Sequence, residues 1–323
     1  MNRIEKIAVA PMMDWTDRHC RYFLRLLNPW AFLYTEMMTA AAIHHGDAGR
    51  LLRFNDAEHP VALQLGGSDP GWMANATRKA ADLGYDEINI NVGCPSDRVQ
   101  SGQFGACLMA RPQTVADCYK AMQAETDIPV TVKTRIGIDD HDSEAFLQRF
   151  VEIVAAAGCR KFIVHARIAI LEGLSPKQNR TIPPLNYDRV FRLKREFPDL
   201  EIVINGGLAD IGQVEAVLQH VDGAMIGRQA YQQPYFLAEL AHHFDPDWPL
   251  PERREVVLAA LPYVESALAE GDSLHRVTRH MLGLFAGQPG ARTWRRQISE
   301  HAHRPGAGAE VLINALNAMP IAA

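Results

Sequence analysis

Long apolar runs are missing from this 323-residue chain, and we expect no leader segment. No run of apolar residues approaches the roughly 20 that a membrane-spanning helix needs. Residues 1–6 lead almost directly into a β-prone segment, without the charged region, apolar stretch and cleavage site of a secretion signal. We therefore expect a cytoplasmic protein that has no membrane-spanning segment.

Metal-binding and disulfide patterns are also scarce. The five cysteines are an odd number, and none forms a Cys-x-x-Cys pair, which argues against a disulfide framework and against a zinc site. The thirteen histidines include no His-Glu-x-x-His motif. We expect no metal ion.

Positive charge is in the minority, because the formal net charge is −5. Its distribution is uneven, however. Residues 167–195 carry many lysines and arginines against two acids, and residues 274–304 carry many arginines against a single acid. Two basic segments therefore lie within a chain that is acidic as a whole.

Short β-prone apolar segments recur along the first part of the chain, and amphipathic helical segments separate most of them. The β-prone segments are residues 7–10, 31–34, 61–65, 87–91, 130–135, 161–166, 201–205 and 223–226. Alternating strands and helices form parallel sheets, and eight such units are typical of a closed barrel. We predict an α/β fold in which residues 1–244 form a (β/α)8 TIM barrel.

The pattern changes beyond residue 244. Residues 245–251 contain three prolines, which cannot continue a helix, and this segment is predicted to be a linker. Residues 252–323 carry apolar residues at helical spacing only, as in the stripe that ends with Leu312, Ala315 and Leu316. We predict a separate C-terminal all-helical domain.

The predicted carboxyl ends of the strands are unusually polar, and this is the end of such barrels that carries the active site. The residues at these positions are Pro11, Met12, Met13, Glu36, Gln64, Asn91, Cys94, Lys133, Arg135, His165, Asn205, Gly206, Gly207, Gly227 and Arg228. A structural role is the better explanation for any one of them alone. Because eight strand ends meet at one mouth of the barrel, together they favour an active site.

Two glycine-containing turns follow the last two predicted strands. Asn205-Gly206-Gly207 comes after the seventh strand and Gly227-Arg228 after the eighth. The backbone N–H groups of such turns can approach an anion closely, and a guanidinium can pair with it, as in the usual phosphate site of these barrels. Because the chain has no Gly-x-Gly-x-x-Gly dinucleotide fingerprint, we infer FMN rather than FAD.

Three other strand-end residues suit the body of this cofactor. Gln64, Lys133 and His165 are expected to face the flavin ring. A positive charge at the N1/O2 edge of a flavin stabilises the anionic reduced ring. Lys133 is the candidate for that charge.

Cys94 is the thiol whose position favours chemistry. Residues 87–92 alternate between apolar and polar as in a strand, and Gly93 ends the run, so Asn91 and Cys94 lie at its carboxyl end. A lone cysteine is most simply a small buried apolar residue. Beside an amide side chain and a glycine-rich loop, it is also suited to exchanging a proton with a planar ligand.

Several segments resemble the signature blocks of the tRNA-dihydrouridine synthases, and the resemblance covers the whole chain. The blocks are Ala10-Pro11-Met12-Met13-Asp14-Trp15-Thr16-Asp17, Asn91-Val92-Gly93-Cys94-Pro95-Ser96, Lys133-Thr134-Arg135, His165-Ala166-Arg167, Asn205-Gly206-Gly207 and Gly227-Arg228. Residues 165–185 resemble the bacterial branch of the family, which acts on positions 20 and 20a of the tRNA D-loop.

The resemblance implies an FMN-dependent, NADPH-driven oxidoreductase that saturates the C5=C6 bond of a D-loop uracil. Flavin N5 would pass a hydride to C6, and Cys94 would give a proton to C5. Met12 and Met13 would back the flavin. Asn91 and Arg135 would hold the nucleotide after it has left its stack.

The resemblance also implies that the C-terminal helical domain recognises tRNA. Lys177 and Arg180, on the loop after the sixth strand, are expected to contact phosphates, as are Arg292, Arg295 and Arg296 in the helical domain. For Arg295 and Arg296 a solvated helix face is an alternative. We expect a monomer whose partners are tRNA and NADPH.

Two other functions are compatible with parts of the sequence. A flavin barrel that acts on a free pyrimidine, as in dihydroorotate oxidation, would account for Cys94, Lys133 and the phosphate turns, but it would leave the arginine-rich tail without a purpose. A non-catalytic RNA-binding barrel would account for the tail, but the presence of Cys94, Lys133 and His165 speaks against it.

Overall fold

The computed structural model describes residues 6–320, apart from the side chains of Asp97 and Arg98. Residues 1–5 and 321–323, at the two ends of the predicted domains, lie outside the described part. Within it, no helix combines the length and the apolar character that a membrane crossing requires.

A closed barrel of parallel strands forms the larger of two compact units. Its strands are β1 (Ile7–Val9), β2 (Phe32–Thr39), β3 (Val61–Gly66), β4 (Glu87–Val92), β5 (Val130–Arg135), β6 (Lys161–His165), β7 (Glu201–Asn205) and β8 (Gly223–Ile226). Each strand pairs with the next along the chain, and β8 closes the barrel by pairing with β1, with Ala8 opposite Met225. The predicted (β/α)8 barrel is confirmed.

The helices of the described chain alternate with the strands and then continue alone. They are α1 (Arg18–Leu27), α2 (Ala40–His45), α3 (Ala48–Leu51), α4 (Pro70–Asp82), α5 (Asp97–Ser101), α6 (Pro112–Gln123), α7 (Glu144–Ala156), α8 (Tyr187–Glu196), α9 (Ile211–Leu218), α10 (Arg228–Gln232), α11 (Tyr235–Phe244), α12 (Arg253–Ala269), α13 (Leu274–Thr278), α14 (Ala291–His301) and α15 (Glu310–Asn317). Short 3-10 turns occur at Asp56–Glu58, Gly105–Ala110, Gln178–Arg180 and Arg279–Met281.

The helix α4 shows how the sequence sets these elements. Asp69 caps it by accepting a hydrogen bond from the backbone N–H of Trp72 at 2.8 Å, and Pro70 takes the first helical position, where no N–H is needed. Met73 and Ala76 lie on its buried face. The helix that was predicted after the third strand is therefore present.

Strand β2 differs most from the prediction. It runs five residues beyond the predicted end at residue 34, and its register with β3 shifts between Tyr34 and Met37. Thr35 and Glu36 interrupt the apolar pattern at this bulge, which is why the strand appeared to end there. Glu36 was predicted to lie just past a strand and instead lies inside one.

The helical unit is larger than the predicted residues 252–323. It contains residues 14–31, which include α1, together with the chain from residue 228 onward. Residues 245–252 form neither helix nor strand, and they lie within this unit. The predicted boundary at residue 244 therefore does not coincide with the division between the two compact units.

Asp17 explains why α1 belongs to the helical unit. Its carboxylate caps α1 by accepting hydrogen bonds from the N–H groups of His19 and Cys20, both at 3.0 Å. The same carboxylate pairs with Arg279 at 2.7 Å and with Nε2 of His280 at 3.0 Å. Burial opposes ionisation, but the contacts with His280, Cys20 and Arg279 hold the pKa of Asp17 well below its usual range.

Candidate active site

The carboxyl ends of the barrel strands bring the predicted polar residues together. In the strand registers, Asn91 lies opposite Lys133, Arg135 lies opposite His165, and His165 lies opposite Asn205. Their side chains therefore belong to four adjacent strands, β4 to β7, at one end of the barrel. This grouping follows from the parallel arrangement of the sheet.

Asn91 shapes the turn that carries Cys94. Its Oδ1 accepts hydrogen bonds from the backbone N–H groups of Gly93 and Cys94, both at 3.0 Å. The carbonyl of Cys94 in turn accepts a hydrogen bond from Ala106 N at 2.9 Å, which folds the chain back onto the 3-10 turn. The Cys94 thiol is partly exposed, as a proton donor to a ligand must be.

The close approach at Gly105 requires a glycine. Its φ is +76°, and a Cβ placed there would lie 2.6 Å from the carbonyl oxygen of Cys94 and 2.2 Å from a methyl group of Val99. An L-residue at this position would be strained and would displace the carbonyl of Cys94. The glycine-rich character noticed in the sequence therefore serves to hold the loop of Cys94.

A chain of buried polar side chains, here called the amide network, leads from Asn91 into the barrel. Asn91 Nδ2 donates to Gln64 Oε1 at 2.9 Å, Gln64 Nε2 donates to Asn89 Oδ1 at 2.8 Å, and Asn89 Nδ2 donates to Thr131 Oγ1 at 2.8 Å. The hydroxyl of Thr131 donates to Glu87 Oε1 at 2.7 Å. The amide network thus consists of Asn91, Gln64, Asn89, Thr131 and Glu87.

The carboxylate of Glu87 determines which group donates and which accepts in each hydrogen bond of the amide network. An ionised carboxylate only accepts hydrogen bonds, so the Thr131 hydroxyl must donate to it, and each amide must then present its NH₂ towards Glu87. Oδ1 of Asn91 is consequently left for the backbone of the Cys94 turn. Tyr34 also donates to Glu87, and burial followed by this carboxylate raises the pKa of Tyr34 well above its usual value.

Lys161 provides the counter-charge for Glu87. Its Nζ lies 3.0 Å from Glu87 and 3.3 Å from Glu201. Burial lowers the pKa of Lys161, but the two carboxylates outweigh burial and raise it above the usual value. This end of the amide network is therefore a charged pair that is largely shielded from water.

Lys133 lies in a partly buried position, where burial disfavours the charged form of its side chain. Its Nζ donates to Asn205 Oδ1 at 3.0 Å, and Asn205 Nδ2 is itself held by the carbonyl of Met225 at 2.7 Å. Burial, followed by the charge of Arg135, lowers the pKa of Lys133 to about 7, while Cys94 acts in the opposite direction. An anion bound here would restore the charge of Lys133.

His165 lies among several positive charges. Burial lowers its pKa well below the usual value, and Arg135, Lys133, Arg167 and Arg180 lower it further. The imidazole is therefore neutral at physiological pH and acts as a hydrogen-bonding group. The surrounding cations favour an anionic ligand.

The turn after β7 contains two glycines in the left-handed region of the backbone. Gly206 and Gly207 have φ angles of +121° and +73°. A Cβ at Gly206 would lie 2.7 Å from Cδ2 of His165, and a Cβ at Gly207 would lie 2.6 Å from a methyl group of Leu185. Only glycine fits this close packing.

The turn after β8 is open by comparison. A Cβ at Gly227 would meet no atom within 4 Å. Arg228 follows directly and begins α10, which belongs to the helical unit. Backbone turns at β7 and β8, with Lys133 nearby, form a donor set that fits a phosphate-bearing cofactor such as FMN.

The segment after β1 supplies apolar surface. Met12 packs against the interior of the barrel, where Tyr34 and Met225 are buried, while Pro11 is partly exposed and Met13 is exposed. The backing of the flavin by Met12 and Met13 stays a prediction.

Arg135 is almost fully buried and is held by backbone carbonyls of the protein. Only 3% of it is exposed, and its guanidinium donates to three backbone carbonyls: Nε to Gly93 at 3.1 Å, and Nη1 to Ile168 at 3.2 Å and to Asn179 at 3.1 Å. Contact of Arg135 with a nucleotide stays a prediction. The contacts that the structure places around it are with the protein.

The basic residues predicted to bind phosphates lie on exposed surface. Lys177 and Arg180 are exposed on the loop between β6 and α8. Arg292, Arg295 and Arg296 are exposed on α14, in the helical unit. Their spacing of three and four residues places these three arginines on one face of the helix.

Trp294 and Ile298 occupy the opposite, buried face of α14. Trp294 is fully buried, and its indole N–H donates to the carbonyl of Met281 at 3.0 Å. Because packing fixes this face, the three arginines on the other side of the helix are presented to solvent.

Several residues that shape the site were missed in the sequence. They are Glu87, Asn89, Thr131, Gln100 and Asn179, which act through hydrogen bonds to other protein groups. Polar residues at alternating positions of a strand with apolar neighbours, as in Glu87-Ile88-Asn89-Ile90-Asn91, are a signal for polar groups inside a barrel. No comparable signal marks Gln100 or Asn179.

Comparisons with known proteins identify relatives of nearly the whole chain. The family model for dihydrouridine synthase matches residues 8–319. A tRNA-dihydrouridine(20/20a) synthase of Vibrio vulnificus is 58% identical over 317 residues, which are 98% of this chain and 97% of that protein. The protein of the same name from Escherichia coli is 57% identical over 316 residues, covering 96% of this chain and 90% of that protein.

A solved structure of 2-naphthoyl-CoA reductase with 2-naphthoyl-CoA is similar in fold. The TM-score is 0.58 at 9% identity, over 74% of this chain and 50% of that chain. At this identity the likeness concerns the fold alone. The family match, by contrast, spans nearly the whole sequence, and the two relatives are more than half identical to it, so the chain belongs to the dihydrouridine synthase family.

Proposed function

We propose that this protein is a tRNA-dihydrouridine(20/20a) synthase, which reduces the C5=C6 bond of uracil at positions 20 and 20a of the tRNA D-loop. Family membership and the names of relatives more than half identical support the proposal. The observation that carries it is that the partly exposed Cys94 follows β4 directly, while Lys133 and Arg135 lie at the carboxyl end of the neighbouring strand β5.

FMN is the proposed cofactor, and NADPH the proposed reductant. When bound, FMN supplies a hydride from its N5 to uracil C6, having been reduced by NADPH. Pro11, Met12, Met13 and Gln64 would contact the ring. The turns at Asn205-Gly206-Gly207 and Gly227-Arg228 would hold the phosphate. Lys133 and His165 would face the ring, with Lys133 as the positive charge at its N1/O2 edge.

Cys94 is the proposed proton donor. Its thiol would give a proton to C5 on the face of the ring opposite the hydride, and the thiolate would regain a proton from solvent. One hydride and one proton are thus added across the double bond. Asn91, which holds the N–H groups of Gly93 and Cys94, keeps this thiol in place.

tRNA contacts are proposed at two basic surfaces. Lys177 and Arg180 of the loop after β6 would pair with phosphates near the D-loop, while Arg292, Arg295 and Arg296 of α14 would pair with phosphates elsewhere on the tRNA. The uracil would be extruded from its stack at a cost of a few kcal/mol. We also propose that the enzyme acts in the cytoplasm as a monomer.

The direct test uses purified protein, FMN, NADPH and unmodified tRNA. We expect dihydrouridine at positions 20 and 20a, detected by nucleoside mass spectrometry and by mapping of the modified positions. Replacing tRNA by dihydroorotate should give no turnover. Oxidation of dihydroorotate without reduction of tRNA would contradict the proposal.

Cys94→Ala tests the role of the thiol. We expect turnover to fall by about 10² to 10⁴, since this is the usual contribution of a positioned general acid. FMN content after gel filtration and tRNA affinity should match the wild type, because the thiol serves chemistry rather than binding. Unchanged turnover would remove Cys94 from the mechanism.

A further inference from the structure

Two side chains connect the segment around Cys94 to a second loop of the barrel. The cysteine loop is defined here as residues 93–104, and the β6 loop as residues 166–186. Arg135 donates to Gly93 O in the cysteine loop and to the carbonyls of Ile168 and Asn179 in the β6 loop. Gly93 is the residue immediately before Cys94.

Gln100 makes the second connection, on the other side of the cysteine. Its Nε2 donates to the carbonyl of Pro95 at 3.0 Å and to the carbonyl of Leu171, in the β6 loop, at 2.8 Å. Pro95 is the residue immediately after Cys94. The two carbonyls that flank the thiol in sequence are therefore each held by a side chain that also holds the β6 loop.

Hydrogen bonds within the β6 loop connect the points at which it is held. Asn179 is fully buried, and its side chain accepts from Ile170 N at 2.8 Å and donates to the carbonyls of Ile170 at 2.8 Å and Leu174 at 3.1 Å. The backbone carbonyl of Asn179 accepts a hydrogen bond from Arg135 Nη1. A displacement of this loop is therefore passed on to Arg135 rather than absorbed within the loop.

The charges of the β6 loop make the connection sensitive to an anion. Burial lowers the pKa of Arg135 to about 10; Cys94 opposes this, while Arg180 and Arg167 lower it further. Arg180 is an exposed residue next to Asn179 in sequence. A phosphate bound by Arg180 would act on the residue that directly follows Asn179, whose backbone carbonyl accepts a hydrogen bond from Arg135 at 3.1 Å.

We propose that Arg135 and Gln100 are positioning residues that couple the binding of an RNA phosphate at the β6 loop to the placement of the Cys94 thiol. The proposal rests on the proposed function, because it assumes that RNA contacts the β6 loop. Arg135 and Gln100 act in this role through the backbone on either side of the cysteine. The role is separate from the predicted contact of Arg135 with the nucleotide.

The experiment compares Gln100→Met with the wild type. Methionine keeps the length of glutamine but removes both donated hydrogen bonds. We expect the single-turnover rate of uridine reduction at saturating tRNA to fall about 10-fold to 100-fold, as misplacement of a reacting group by about 1 Å does. The tRNA dissociation constant and the FMN content should stay within twofold of the wild-type values.

Alkylation of Cys94 in the free enzyme gives a readout that does not depend on catalysis. The rate of iodoacetamide labelling at Cys94, followed by mass spectrometry of the peptide, should change several-fold in Gln100→Met. Gln113→Met is the matched control, because Gln113 is exposed on α6 and bonds only to Asp117 of the same helix at 2.8 Å. It should leave both rates unchanged.

The coupling itself is tested by combining variants. Arg180→Gln alone should lower the single-turnover rate at saturating tRNA, but it should have little further effect when Gln100→Met is already present. Arg135→Lys, which keeps the charge and cannot bond three carbonyls at once, should resemble Gln100→Met. If Arg135→Lys does not fold, the Gln100→Met comparison still decides.

Several results would overturn the proposal. One is a Gln100→Met variant whose single-turnover rate and labelling rate equal those of the wild type, or one that loses tRNA affinity and keeps its rate. Another is a double variant whose loss in rate equals the product of the losses caused by Arg180→Gln and Gln100→Met alone. A third is a Gln113→Met control that changes as much as Gln100→Met. If the wild type did not reduce tRNA, the proposed function would fail instead. The labelling comparison would then still report whether Gln100 holds the cysteine loop.

Discussion

Lys133 is the residue whose charge state is most open to control by a ligand. Its ammonium is held by Asn205, and burial and Arg135 bring its pKa to about 7. Near neutral pH, the unliganded protein is therefore a mixture of charged and neutral Lys133. An anionic ligand selects the charged form and raises this pKa.

The pH dependence of FMN affinity follows from this linkage. Above pH 7 the free protein must take up a proton to bind the anion, so affinity should fall as the pH rises, by up to about tenfold per pH unit. Below pH 7 it should level off. Dissociation constants from quenching of flavin fluorescence between pH 6 and 9 would measure the effect.

Variants at Lys133 and at an exposed lysine separate this effect from general charge. The Lys133→Met variant should bind FMN weakly at every pH, and its affinity should not fall further above pH 7. Lys120→Met, at an exposed position of α6, should reproduce the wild-type curve. A wild-type curve that is flat from pH 6 to 9 would show that Lys133 does not titrate on binding.

The sequence identified the chemical groups at this scale better than their partners. Cys94 and the glycine turns follow strands and Lys133 lies near the carboxyl end of one, so their positions could be predicted from the sequence. Arg135 contacts the backbone carbonyls of Gly93, Ile168 and Asn179, which lie 42, 33 and 44 positions away in the sequence. Every residue has a carbonyl, so composition and motifs hold no information about which ones Arg135 contacts.

The amide network beneath the site depends on the register of neighbouring strands. It crosses β3, β4 and β5, and each hydrogen bond in it joins side chains from two adjacent strands. Thr131 and Asn89 are fully buried. A break in the middle would leave donors and acceptors without water to replace the lost partner.

Asn89→Leu should therefore destabilise the barrel. It leaves the Gln64 amide without its acceptor, at a cost of about 1–3 kcal/mol for a buried polar group. Urea unfolding followed by circular dichroism measures the change. Asn75→Leu is the control, since this partly exposed asparagine on α4 makes only a long contact of 3.4 Å with His44.

A change within about 0.5 kcal/mol is expected for the control. Equal destabilisation by the two substitutions would mean that the amide network adds nothing to the stability of the barrel. The sequence showed the alternation that places Asn89 inward, but not the chain of contacts. That chain depends on strand register, which periodicity does not specify.

Each of the two compact units presents exposed basic residues. The surface in the helical unit consists of the three arginines of α14, which the buried Trp294 on the other face of the helix keeps exposed. If they pair with phosphates, each contact releases counterions and contributes about 0.7 to 0.9 to the slope of log affinity against log salt concentration.

Replacing Arg292, Arg295 and Arg296 by glutamine should weaken tRNA binding and lower this slope by about 2 to 3. Filter binding or fluorescence anisotropy between 50 and 200 mM salt would measure both quantities. Removing three exposed charges from barrel helices, with Lys120→Gln, Arg149→Gln and Arg195→Gln, is the matched control. Equal slopes for the two triple variants would assign the effect to net charge.

At this scale the order of elements was predictable and the grouping of elements was not. Alternating periodicities established the eight-stranded barrel and the helical tail. The membership of α1 depends on Asp17, whose partners Arg279 and His280 lie at the other end of the chain. A helix cap is recognisable in sequence, but a partner more than 250 residues away is not.

The pairing of Asp17 with Arg279 also has a consequence during protein synthesis. The two residues are separated by 262 positions, and ribosomes add about 5–20 residues per second, so α1 emerges roughly 13 to 50 seconds before its partner. Over that interval the nascent chain must carry a helix whose apolar face is not yet covered, while the strands on either side of it come together. The first helix to be made is thus among the last to reach its final neighbours.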